Sequence, residues 1–433
     1  DNQGGVDNLG GAAGVNSMGT LVFKDPNPGT ATLGPNITFF SASNSTTNPG
    51  RAQIVNDGTK VIVLQGNFTA ANAGARAWTL DGTNTGINTI SGVISDTANT
   101  GESVSIIKEG IGTWRLSGTN TFEGGVTITR GTLQVAGGSA LNNAATVAVN
   151  GAGAGGLATI NHAPLQGVTP ETIGELTGNI GATTIIDPGQ ILTLAGASGT
   201  FSGVITGGGG VTKTVTTING VTAAGTLTVP NLNSYTGPTQ IGTHVVSAIP
   251  GASVTAGAAS GVSVVYLADG GQPSGIGASS NAASNLIFSN GANTGGGLVW
   301  TGFNNQSTDR LFTMGTGVGA ASIIANGTVV GTTAPKLTFS NTGAIAFVSP
   351  NQTGTLQLGG GTISDNTFSP QITNNGTGAI SVSKIDAGMW LMTSSTSSYT
   401  GGTTINAGTL AVTVGGALGT GNVAIRGGAG TGL

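Results

Sequence analysis

The sequence predicts an all-β chain wound as a solenoid of short parallel strands, extended as a rod. Three observations carry that expectation. The 433 residues include 80 glycines, only 6% are charged, and 37% are apolar. An average soluble domain carries about 25% charged residues, whereas a disordered chain is poor in apolar ones. Apolar residues recur at a spacing of two far more often than three or four, the period of a strand and not of a helix. Finally, one phrase is written three times, as "TFEGGVTITRGTLQV" (121–135), "SYTGPTQIGTHVVSA" (234–248) and "SYTGGTTINAGTLAV" (398–412).

A strand of four or five residues with one apolar face cannot bury that face alone. If the chain turns after each strand and climbs, each coil lies on the one below, about 4.8 Å away, and inward side chains form a continuous core. Inward positions then need Val, Ile, Leu, Ala or Phe, outward ones suit Thr, Ser and Asn, and corners need Gly or Asn. At roughly 20 residues per coil such a chain makes about 20 coils. A propeller would repeat every 40–50 residues or so, which the sequence does not do.

Aligned on Phe122, Tyr235 and Tyr399, the three phrases place Ile128, Ile241 and Ile405 six positions on. Leu133, Val246 and Leu410 follow, then Val135, Ala248 and Val412 two further, on one strand face. Gly131 and Gly408 precede them, where a corner at positive φ is expected. The middle copy has His244 there and Pro238 in place of Gly125 and Gly402, so it is degenerate.

In order along the chain, residues 1–50 read as a Gly-rich leader and first strands, with an apolar strand at Leu21, Val22 and Phe23. Residues 51–150 form a repeat unit and 151–260 a degenerate one. Residues 261–433 form a third, truncated at its end. The outer units match at long range: Leu80 with Leu358 and Asn88 with Asn366 (offset 278), Trp114 with Trp390 (276), Leu141 with Leu418 (277). Short strands are expected at 286–288, 321–324, 337–339 and 345–348. The first residue is Asp1 and the last residues are "GGAGTGL", so both ends read as cut from a longer precursor.

The phrases "IIKEGIGTWRLSGTNTFEGGVTITRGTLQV" (106–135) and "SKIDAGMWLMTSSTSSYTGGTTINAGTLAV" (383–412) resemble the autotransporter-associated β-strand repeat of very large bacterial surface and secreted proteins. The similarity is strong over about 80–150 and 356–425, fair over 262–348, weak over 200–260 and absent from roughly 1–50. The resemblance implies a right-handed parallel β-helix, export through the cell envelope and no catalytic residues. It fixes no ligand.

Net charge is −4 with no basic stripe, which argues against nucleic acid. No apolar run of about 18 residues exists to span a membrane as a helix. Cys is absent, which suits a secreted bacterial chain and offers no thiol site. Sugar-cleaving β-helices need clustered carboxylates. The one concentration of charge is Asp96, Glu102, Lys108, Glu109, Arg115, Glu123 and Arg130, of mixed sign. It reads as solvated pairs between coils, with a catalytic groove as the alternative. Asp309-Arg310 reads as a local pair or a turn cap. His162 and His244 lie 82 positions apart, far from a metal-site spacing. Trp78, Trp114 and Trp390 are either core or sugar-stacking platforms.

The expected function is therefore non-catalytic and extracellular, with no cofactor and no metal. One reading is a self-associating fibre, filament or sheath component, joined head to tail through Leu21, Val22, Phe23 and the last coil at Leu433. The other is a cell-surface adhesin stalk touching host or glycan surfaces.

Overall fold

The computed structural model describes residues 19–40, 50–71, 76–96, 103–143, 145–151, 157–163, 171–196, 198–214, 217–218, 221–222, 225–242, 261–288, 296–316 and 320–426. The chain divides into two units, Asp1–Ala195 with Phe201–Ile205, and Gly196–Thr200 with Thr206–Leu433. Among the described residues both are all-β. A single 3-10 turn, Ala283–Asn285, interrupts the strands.

In the first unit, consecutive strands go to different sheets. Gly19–Phe23, Gly29–Leu33 and Ile37–Phe40 each open one. The next three strands, Gly50–Asn56, Lys60–Leu64 and Phe68–Ala71, pair parallel with them, so that Leu21 lies beside Ile54, Ala31 beside Ile62 and Thr38 beside Thr69. A chain that visits three sheets in turn and returns one strand further is a coil. The inward positions stack from coil to coil: Trp78, Ile106, Val126, Val147 and Leu176 follow one another on the first sheet, all buried. Each such side chain contributes roughly 1.5–3 kcal/mol relative to exposure.

The second unit repeats the scheme. Its longest sheet has nine strands, running from Gly199–Thr200 to Val423–Ile425. A five-stranded sheet runs from Gln306–Thr308 through Leu337–Phe339, Asn366–Phe368 and Met389–Met392 to Thr409–Val412. Phe288, Phe312, Phe339 and Phe368 form one aromatic column, with Phe288 and Phe312 edge to face at 5.1 Å. The small pair Thr217–Ile218 and Val221–Thr222 is antiparallel.

The long repeat of the sequence is a repeat of structure. Arg76–Asp81, Ile87–Ile90, Val104–Lys108 and Thr113–Leu116 correspond to Gly354–Gly359, Asn366–Phe368, Ile380–Lys384 and Met389–Met392. Most coils are longer than the roughly 20 residues expected: paired residues lie from 19 apart (Trp114 and Leu133) to 47 apart (Thr239 and Leu286). The excess lies in loops between strands, which backbone pairing tolerates because only the strands need to be in register. The 345–348 strand shortens to Ala346–Phe347.

Candidate functional site

Three of the polar side chains singled out in the sequence, Lys108, His162 and Arg310, are spent inside the fold. Lys108 is fully buried at the end of its strand. Its ammonium donates to the carbonyls of Glu109, Gly110 (2.8 Å) and Arg130 (3.2 Å), from the corners of two successive coils. Lys384 does the same at the repeat-equivalent place, reaching Ile385 O at 2.5 Å, Asp386 O at 2.7 Å and Ala407 O at 3.1 Å. Lys213 reaches Gly196 O at 2.7 Å and Thr214 O at 3.0 Å. Each of the three lies beside the Ile of the repeated phrase, Ile128, Ile241 or Ile405.

Converging carbonyls repel, and an ammonium with three donors matches three acceptors. Burial pushes Lys108 and Lys384 down to about 8, so both remain charged at neutral pH. The solvated-pair reading therefore fails for Lys108, because the strand alternation turns its stem inward. It holds for Arg51 with Glu109, a part-exposed pair at 2.8 Å.

The corners need glycine twice over. Gly131 and Gly408 have φ of 66° and 67°, and a Cβ on Gly408 would stand 2.4 Å from Asp386 O and Gly388 O. Asp96 accepts from the backbone N–H groups of Val104 and Glu123, bracing two coils. Burial raises its carboxyl above the usual range. The side chain of Arg115 donates to Gln134 on the next strand. Glu102 lies outside the described residues. Asp96, Lys108, Glu109 and Arg115 of the charge concentration are thus engaged in separate structural contacts.

Arg310 is buried and organises the loop that precedes it in space. It donates to Ala268 O (3.2 Å), Ser279 Oγ (2.8 Å), Gln272 O (3.3 Å) and Gly277 O (3.1 Å). Asp309 accepts from Gly270 N at 2.7 Å and Asn281 Nδ2 at 2.8 Å. The pair does not bond to itself. It closes a loop that stands where the five-stranded sheet would otherwise show the edge of Gln306–Thr308. Its Thr308 donates to Ala268 O at 2.9 Å.

All four tryptophans are fully buried, so the core reading holds and the platform reading is corrected. Trp114 and Trp390 each donate at 2.9 Å to a carbonyl one coil earlier, Asp81 O and Gly359 O. His162 stands in a core column between Val135 and Ile186, where burial pushes it down to about 4. His244 lies outside the described residues. Glu171, invisible to pattern reading, is a buried carboxyl that accepts from Leu141 N at 2.8 Å, and desolvation pushes it up to about 8. Among the described residues no group of three or more His, Asp or Glu could hold a metal ion. No helix among them is long and apolar enough to cross a membrane.

Leu21, Val22 and Phe23 lie in Gly19–Phe23, paired to Ile54, Val55 and Asn56 of the same chain. Among the described residues no strand pairs with its other edge. Leu433 lies outside the described residues.

Three matches to the passenger-associated-transport-repeat fall at residues 106–135, 224–243 and 382–412, on the three phrases and, in the outer two, on their buried lysines. The chain is also similar to the adhesin BmaC autotransporter of Brucella suis biovar 1 (strain 1330), 39% identical over 158 residues. That stretch is 36% of this chain and 4% of the relative. No solved structure matches.

Proposed function

We propose that this chain is a non-catalytic passenger segment of an autotransporter-type adhesin, a right-handed parallel β-helix held outside the cell or at the bacterial cell surface. One observation carries the reading: the two outer transport-repeat matches each contain a coil-closing device, an inward Lys beside an Ile at a corner, and the middle match contains the Ile of a third, Ile241, whose Lys213 lies just before the match. What those residues do is build and brace coils. Asp96, Lys108 and Arg310, polar groups an enzyme could use, bond largely to backbone, which supports the non-catalytic reading.

The test is retention. Purified chain coated on beads is expected to hold beads to host-cell or glycan surfaces, and antibody to the chain is expected to label intact bacteria. Unlabelled intact cells, or coated beads no stickier than bare ones, would overturn the reading.

A second reading, a filament or sheath component joined head to tail, is favoured by an edge of Gly19–Phe23 that no strand among the described residues covers. Deleting residues 21–23 would then abolish end-to-end polymers in electron micrographs, and unchanged polymers would exclude strand donation.

A further inference from the structure

Large apolar side chains left in water are not scattered over this molecule. In the first unit Ile111, Leu157 and Ile180 are exposed, Leu157 by 70% and Ile180 by 83%. All three stand at the corner between the sheet of Arg76–Asp81 and the sheet of Ile87–Ile90, on different coils. In the second unit Phe303, Val330 and Ile363 are exposed, Ile363 by 73%. They stand at the corner between the sheet of Gly354–Gly359 and the sheet of Asn366–Phe368. The long repeat makes these two corners equivalent. Away from these corners and from the first and last coils, Ile87, Val204, Leu232 and Val348 are the other large apolar residues exposed among the described residues, none by more than 49%.

We propose that this corner is a docking ridge for a second copy of the chain, laid alongside the first. In each unit the ridge is narrow, and its apolar side chains are spaced by the coil step of about 4.8 Å or small multiples of it. A partner must offer apolar contacts at the same spacing along the same direction, and another copy does so by construction. The net charge of −4 over 433 residues sets up little repulsion between copies. A lipid surface fits less well. Anionic lipid attracts clustered Lys and Arg, whereas these corners carry both signs, Glu109 and Arg130 in the first unit and Lys336 and Asp365 in the second. An exposed apolar stripe that recurs at one place in two copies of a repeat is a contact surface in waiting. The inference goes beyond the adhesin reading, since retention on a foreign surface does not require it.

The absence of Cys makes the test direct. Ile180→Cys and Ile363→Cys are each expected to give disulfide-linked dimers on mild oxidation. Val348→Cys, exposed elsewhere, is expected to give none. In sedimentation the unmodified chain should associate over the range where a micromolar contact shows. Leu157→Asp with Ile180→Asp, or Val330→Asp with Ile363→Asp, should leave monomers of unchanged melting temperature. A chain that stays monomeric throughout overturns the proposal. So do ridge cysteines that cross-link no better than Val348→Cys, and so does a ridge that binds lipid vesicles without pairing copies. Bead retention is read separately, so loss of one result leaves the other standing.

Discussion

The buried hydroxyl of Tyr399 lies 2.6 Å from Thr403 Oγ1, and that of Tyr235 lies 2.7 Å from Thr239 Oγ1, four residues on in both cases. In the third copy of the phrase the same two positions are Phe122 and Val126, both buried. The hydroxyls come as a pair or are absent as a pair. An unpartnered buried hydroxyl costs about 1–3 kcal/mol, whereas replacing both partners with apolar groups of similar shape is nearly neutral. Tyr399→Phe and Thr403→Val should therefore each destabilise the second unit by about 1–2 kcal/mol, and the double variant by much less than their sum. Urea titration of the four proteins measures the coupling, and strict additivity would dismiss the pairing.

The lysine corners make a second expectation. Lys108→Met keeps the stem but strands the carbonyls of Glu109, Gly110 and Arg130, and should cost about 2–4 kcal/mol. Lys108 falls from 10.5 to about 8 on folding, so between those values the unfolded chain holds a proton the folded chain has released. Stability then rises with pH across that window, and the rise is smaller in Lys108→Met. Denaturant midpoints from pH 7 to 10.5 decide the matter; equal slopes would refute the burial of the charge.

Glu171 works in the opposite sense. Desolvation raises it from 4.5 to about 8, so the folded chain holds a proton that the unfolded chain has lost between those values. The stabilisation present near pH 4.5 is lost as pH rises to about 8. Glu171→Gln keeps an acceptor for Leu141 N and should flatten that part of the profile. A profile identical to the parent's would show that the carboxyl ionises freely.

Gly408→Ala meets both a positive φ of 67° and a backbone oxygen 2.4 Å from the new Cβ. The left-handed conformation alone costs an L-residue roughly 1–2 kcal/mol, and the close contact adds to it. Gly415→Ala, which meets nothing within 4 Å and has no positive φ, is the control. The melting temperature should fall for the first and hold for the second.

Arg310→Met removes the donors that gather the carbonyls of the 268–279 loop. Limited proteolysis should then cut between Ala268 and Asn281 while the strands on either side stay intact. Resistance equal to the parent's would mean the loop is held by Asp309 alone.

The sequence by itself determined the all-β class, the long repeat, the glycine corners at Gly131 and Gly408 and the inward face of the phrase's strand at Leu133 and Val135. These follow from a two-residue period and from the φ that only glycine adopts cheaply, both local properties of the chain. Tertiary structure decided what the polar residues do. In one dimension Lys108 reads as part of a solvated pair and Arg310 as a local pair with Asp309, because their acceptors are mainly backbone carbonyls, which every sequence has and no sequence displays. Only the register of one coil on the next brings those oxygens together, and only that register puts Ile111, Leu157 and Ile180 at one corner.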